Sequence, residues 1–237
     1  MRRLIAFGLI AATGPAQAAT LFDNGPAVTD FPARSIIRAG GALFGVPAMS
    51  GPGLTYSVAD NFTVGGATWI VTDLSFFAYQ FNARGAFTFT NVSWSVVSGD
   101  VNVGTVVASG TTAVSNGGFL GYRVAPSNPQ ATDRAIFKLD ADVPDFTLAP
   151  GSYWLRWAFG FPGTEVRDHY QPPVASGATG TANVAWGGTN PYVWAIDVGD
   201  RLGSELPFVV NGTVDPVFGS GFEPQLQLPT SESHETH

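Results

Sequence analysis

Three observations predict an all-β chain folded as an antiparallel, jelly-roll-like β-sandwich. Segment after segment alternates apolar and polar residues with period two, which sends one row of a strand's side chains inward and the next outward. Turn-forming clusters separate these segments at intervals of roughly ten residues, the rhythm of sandwiches rather than of βαβ units. Beyond the first nineteen residues, no stretch carries an apolar stripe at helical spacing.

The chain opens with what reads as a secretory leader. Arg2 and Arg3 precede an apolar run from Leu4 to Ala12, and Ala16-Gln17-Ala18 supplies a small-x-small cleavage signal. The run is too short to span a bilayer, and Gly14-Pro15 ends it as a helix. Cleavage is expected near Ala18, leaving one sandwich domain over residues 19–215 and, over 216–237, a short motif followed from Pro224 by a polar, disordered tail. Residues 33–55, rich in Gly, Ala, Pro and Ser, are expected to form a long loop or a short strand pair.

Residues 69–79 are β-branched and aromatic behind Gly65-Gly66, which predicts a strand. Phe87 and Phe89 alternate in one phase, and Val92, Trp94 and Val96 in the other. That slip predicts a bulge or bend near Asn91. Further strands are expected over 104–109, 119–124, 135–143, 152–159, 182–186, 192–198 and 206–213. Between them, Ser98-Gly99-Asp100, Ser115-Asn116-Gly117-Gly118, Ala149-Pro150-Gly151 and Val198-Gly199-Asp200 supply turn chemistry.

Composition narrows the function. Eighteen Phe, six Trp and six Tyr provide core area without covalent staples. The chain has no Cys, which removes thiol catalysis, thiolate zinc sites and iron–sulfur clusters. Only 12% of residues are charged, and the balance of −7 becomes −9 once Arg2 and Arg3 leave with the leader. Lys138 is the single lysine. A phosphate backbone needs a basic stripe, so nucleic acid is not an expected partner. No second apolar run approaches the roughly 20 residues of a membrane span.

Several phrases resemble those of a family of uncharacterised secreted bacterial β-sandwich proteins. Val58-Ala59-Asp60-Asn61-Phe62-Thr63-Val64, followed by Leu74-Ser75-Phe76-Phe77-Ala78-Tyr79-Gln80, is similar to its "ADDFTV … FFGYQ" pattern. Gly151-Ser152-Tyr153-Trp154-Leu155 and Pro207-Phe208-Val209-Val210-Asn211-Gly212 resemble its "GTYWL" and closing "PF-x-(I/V)-x-G" strands. Val217-Phe218-Gly219-Ser220-Gly221-Phe222-Glu223 looks like an "IF-x-x-GFE" phrase common near the C-terminus of exported bacterial proteins. The resemblance implies a secreted sandwich and brings no catalytic residue. Asn61 stands where the pattern has a second acid, which would weaken any cation site built there.

Flat aromatic faces beside amides are what sugar rings stack upon. Trp186 and Tyr170, each in a loop, form with Asn183 and Asn190 the expected ligand patch. Tyr153, Leu155, Trp157 and Phe159 share a strand face and read as core, leaving Trp154 and Arg156 opposite. Tyr192, Trp194 and Ile196 likewise read as core. Asp140, Asp142 and Asp145 form a D-x-D-x-x-D run of oxygen ligands that suits Ca²⁺. Alternatively, Asp140 and Asp142 are the solvent face of a strand whose other face is Phe137, Leu139 and Ala141. Asp23-Asn24 and Asp60-Asn61 make a second oxygen-rich set if their strands are adjacent. His169, with Glu165, Arg167, Asp168 and Tyr170, is either an acid–base cluster or a solvated loop. No G-x-S-x-G elbow is present.

The expected function is an exported, non-enzymatic recognition module with carbohydrate as the favoured ligand. One alternative is a structural or surface-assembly protein that self-associates through its β edges. The other is a polysaccharide or ester hydrolase using Glu165, Asp168 or His169. The expected location is secreted, cell-surface or periplasmic.

Overall fold

The computed structural model describes residues 18–30, 32–37, 44–51, 54–83, 85–160, 169–173, 183–185, 191–194 and 205–215. The leader and the C-terminal tail expected from the sequence lie outside the described residues. The first strands are β1 (Ala19–Asp23), β2 (Arg34–Ile36), β3 (Val46–Pro47), β4 (Met49–Gly51) and β5 (Leu54–Val64). Next come β6 (Trp69–Gln80), β7 (Asn91–Ser98), β8 (Thr105–Ala113), β9 (Ser115–Val124) and β10 (Ala135–Leu148). The last are β11 (Gly151–Gly160), β12 (His169–Gln171), β13 (Asn183–Ala185), β14 (Val193–Trp194) and β15 (Phe208–Val214). There is no helix among the described residues, hence none long and apolar enough to cross a membrane.

Two sheets form, as the alternation predicts. The first runs β1-β15-β6-β10-β9-β2, with β12 joining β6 to β3. The second runs β14-β13-β5-β4-β11-β7-β8, with β5 also paired directly to β11. Pairing is antiparallel except for β2 with β9 and β4 with β11. The chain changes sheet from β3 to β4, β5 to β6, β6 to β7, β8 to β9, β10 to β11, β11 to β12, β12 to β13 and β14 to β15. As a result β1, β15, β6 and β10 interleave against β5, β11, β7 and β8, the double Greek key of a jelly roll.

The core sits between the sheets. Val58, Phe62 and Val64 of β5 and Tyr153, Leu155, Trp157 and Phe159 of β11 face Phe76 of β6 and Phe208 of β15. The Trp157 ring lies 5.6 Å from that of Phe76 and 5.7 Å from that of Phe208. Full burial of each such side chain contributes about 1.5–3 kcal/mol. A second, thinner cluster covers the outer face of the first sheet, where Phe77, Tyr79, Ile136 and Val209 meet Ala27, Phe44 and Tyr170.

Four details differ from the sequence reading. Residues 86–90 are not strand, so the phase slip marks the start of β7 at Asn91 rather than a bulge. Ser115 to Gly118 is strand rather than turn: shifts in the β9–β10 register, on either side of Phe137–Lys138, absorb the glycines. Strand β10 runs on to Leu148 by way of a register shift between Asp142 and Phe146. Among the described residues of 33–55, three short strands form, and two of them make parallel pairs, β2 with β9 and β4 with β11.

Candidate functional site

The outer face of the second sheet carries an open groove with a cavity volume of about 390 Å³. Its floor follows from alternation. Because Trp157 points into the core, its neighbours Arg156 and Ala158 point out. Arg156 pairs in register with Ser95 of β7, which pairs with Ser109 of β8. Ala158 pairs with Ser93, which pairs with Thr111, and the hydroxyls of Ser93 and Thr111 lie 3.0 Å apart. Ser50, Thr55 and Ser57 bring three more hydroxyls from β4 and β5.

One wall is Tyr192, just ahead of β14. It is buried, and its hydroxyl hydrogen-bonds the Ser57 hydroxyl. Burial pushes the Tyr192 phenol above its ordinary value, against the lowering influence of Ser57 and Arg156. The guanidinium carbon of Arg156 lies 5.3 Å from the Tyr192 ring centre, and its Nη2 donates to the Val101 carbonyl.

The β7–β8 turn holds that wall. Asp100 Oδ1 accepts the backbone N–H groups of Asn102 and Val103 at 2.8 and 3.1 Å, and these bonds lower its pKa. So placed, Asn102 clamps the Tyr192 backbone: its Nδ2 donates to the Tyr192 carbonyl at 3.1 Å, and its Oδ1 accepts the Tyr192 N–H. Val101, Ala59 and half-buried Trp154 pack around the same ring. Trp154 and Arg156 thus lie on the outer face, as the alternation indicated.

The residues singled out in the sequence are dispersed. Tyr170 belongs to the first sheet and stacks on Tyr79, ring centres 5.4 Å apart. Asn183 belongs to the second sheet, opposite Ala59 of β5. Those two candidates therefore sit in different sheets, while Trp186 and Asn190 lie outside the described residues. Glu165 and Asp168 also lie outside them. His169 is buried, its ring edge-on to Phe89 at 4.9 Å.

The three carboxylates proposed for calcium do not converge. Asp140 accepts from Lys138 Nζ at 2.8 Å and from the Ser75 hydroxyl at 2.7 Å. Asp142 is exposed opposite Asp73, and Asp145 is exposed within the register shift. Their opposite row, Phe137, Leu139 and Ala141, is buried, so Asp140 and Asp142 form a strand's solvent face. Among the described residues no group of three or more His, Asp or Glu could hold a metal ion. The second oxygen-rich set does come together, but as a hydrogen-bonded knot. Asn24 Nδ2 and the Leu206 N–H donate to Asp60 Oδ2 at 3.0 and 2.7 Å, and the Asn61 N–H donates to Oδ1 at 2.8 Å.

Asp60 and Glu205 form a buried, hydrogen-bonded carboxyl pair that the sequence did not reveal. Desolvation raises the Asp60 pKa well above the ordinary carboxylate range, and the Glu205 charge adds to it. The pair is enclosed by core side chains and is structural rather than open to a substrate. The groove escaped the sequence reading as well, because serines and threonines on alternate positions look like any solvated strand face. Comparison with family models, with curated proteins and with solved structures yields no match.

Proposed function

We propose that the chain is an exported recognition module that binds carbohydrate in the groove of its second sheet. The groove carries this reading: seven serine and threonine residues, one arginine and a clamped tyrosine on a stable sheet. Side-chain hydroxyls both donate and accept, so a row of them matches sugar hydroxyls without imposing one register. The open shape suits one side of an extended glycan better than a small ligand, which pockets usually enclose. Asn183 stands in the same sheet, on β13 opposite Ala59 of β5. The leader-like opening of the sequence supports export.

The test is direct binding to a panel of polysaccharides by affinity electrophoresis and calorimetry. Ser95→Tyr and Thr111→Tyr fill the groove with residues that strands accept well. Each is expected to weaken binding at least tenfold while leaving the melting temperature within a few degrees. Absence of binding across the panel, or binding indifferent to both variants, would discard the reading.

A further inference from the structure

We infer that the groove selects glycans bearing an oxyanion, a uronate carboxylate or a sulfate ester, with Arg156 as the recognising cation. The inference rests on the carbohydrate reading above and narrows its ligand class. Among the described residues Arg156 is the sole charged one lining the groove, in a chain whose formal balance is −7. Among the described residues it makes no ion pair, whereas Lys138 and Arg134 are both paired to aspartates. The acid that feels its charge, Asp100, lies outside the groove lining, with Oδ1 taken by two backbone N–H groups.

A guanidinium has five N–H donors in a planar fork that matches carboxylate and sulfate oxygens. Here one nitrogen, Nη2, meets the Val101 carbonyl, and the buried Nε has no hydrogen-bond partner among the described residues. The guanidinium is half-buried and held against Tyr192, so it is partly desolvated, and among the described residues it has no ion-pair partner. An arriving oxyanion removes that cost, and a neutral hydroxyl removes less of it. Ser95, in register beside Arg156, can donate to another ligand oxygen, while the Ser57 hydroxyl is held by Tyr192. Net negative charge elsewhere does not prevent this, since salt confines its reach to about 8–10 Å.

The experiment compares polygalacturonate with its fully methyl-esterified form, and dextran sulfate with dextran, against the full chain. At least one anionic polymer is expected to bind tenfold or more tightly than its neutral match, and the pair that shows it names the group. Arg156→Gln removes the cation. Should that variant melt early, Ser95→Asp places a neutralising carboxylate in register beside Arg156 on an accessible position. Either change is expected to erase the preference, read as the ratio of anionic to neutral affinity, whatever it does to overall affinity. Equal affinity for anionic and neutral polymers, or a preference that survives both variants, overturns the inference and leaves the carbohydrate reading standing. Failure of all four polymers together with the wider panel removes the carbohydrate reading itself.

Discussion

Asp60 occupies a position on β5 whose neighbours on the same face are Val58 and Phe62, both buried in the core. Leu155 of β11 lies opposite it, Asn24 reaches it from the end of β1, and Glu205 is the charged group that acts on it. Three N–H donors favour a charged Asp60, while burial and Glu205 favour a protonated one, and the latter win. A carboxyl whose folded pKa is raised holds a proton that the unfolded chain has released. Its stabilisation is therefore complete below the unfolded value and is lost as pH rises through the folded one. Asp60→Asn keeps an acceptor for Leu206 and supplies a donor for Glu205, without the titration. Its melting temperature is expected to fall less between pH 5 and pH 8 than that of the parent, measured by circular dichroism. A steeper fall in the variant would contradict the assignment.

At the level of elements, β11 and the β7–β8 turn do separate jobs. Strand β11 joins core to groove by alternation, with Trp157 inward and Arg156 outward. Trp157 also donates its indole N–H to Gln171 at 3.4 Å, so Trp157→Ala loses packing and a partner together. A loss of about 3–5 kcal/mol is expected from urea denaturation. The turn is shaped by Gly104, where a Cβ would strike the carbonyl oxygens of Ser98 and Asp100. Gly104→Ala is expected to cost about 1–3 kcal/mol and to weaken glycan binding through a displaced Tyr192. Unchanged affinity would mean that the turn does not position that wall.

These elements also show what a sequence makes visible. Strand β11 was legible because Tyr153, Leu155, Trp157 and Phe159 alternate with a less buried row, and β6 and β15 because they are rich in β-branched and aromatic residues, several of them buried on both faces. The Ser98-Gly99-Asp100 turn was legible because its residues supply the required geometry. The short strands β2, β3 and β4 were not, since two or three residues cannot display a period. Glu205 and Asp60 are 145 positions apart, and only the closing of one sheet over the other reveals that they touch. Tyr192 read as core and is buried, yet its ring also forms the groove wall. Burial and ligand contact were indistinguishable in one dimension.

For the molecule as a whole, interleaving makes the last strand indispensable. Strand β15 lies between β1 and β6, and Leu206 and Phe208, at its threshold, are fully buried. A chain ending before Glu205 is expected to lose cooperative unfolding and near-ultraviolet dichroism altogether, because β1 loses the strand it pairs with and β6 loses one of its two long neighbours. A truncated chain that still melted in one sharp transition would refute this. Refolding of the intact chain is expected on the millisecond-to-second scale or slower, as pairings so distant in sequence demand costly loop closures.

The pairing of Ala19 with Gly212 has a practical outcome. The two extremities of the folded body emerge side by side, so a brief linker from Asp215 to Ala19 would close the polypeptide into a ring. New ends could then be opened at the exposed 126–130 segment, on the first sheet's side and away from the groove of the second sheet. Such a permuted version should melt near the parent's temperature. It would also let the module be spliced into a host protein through a single junction.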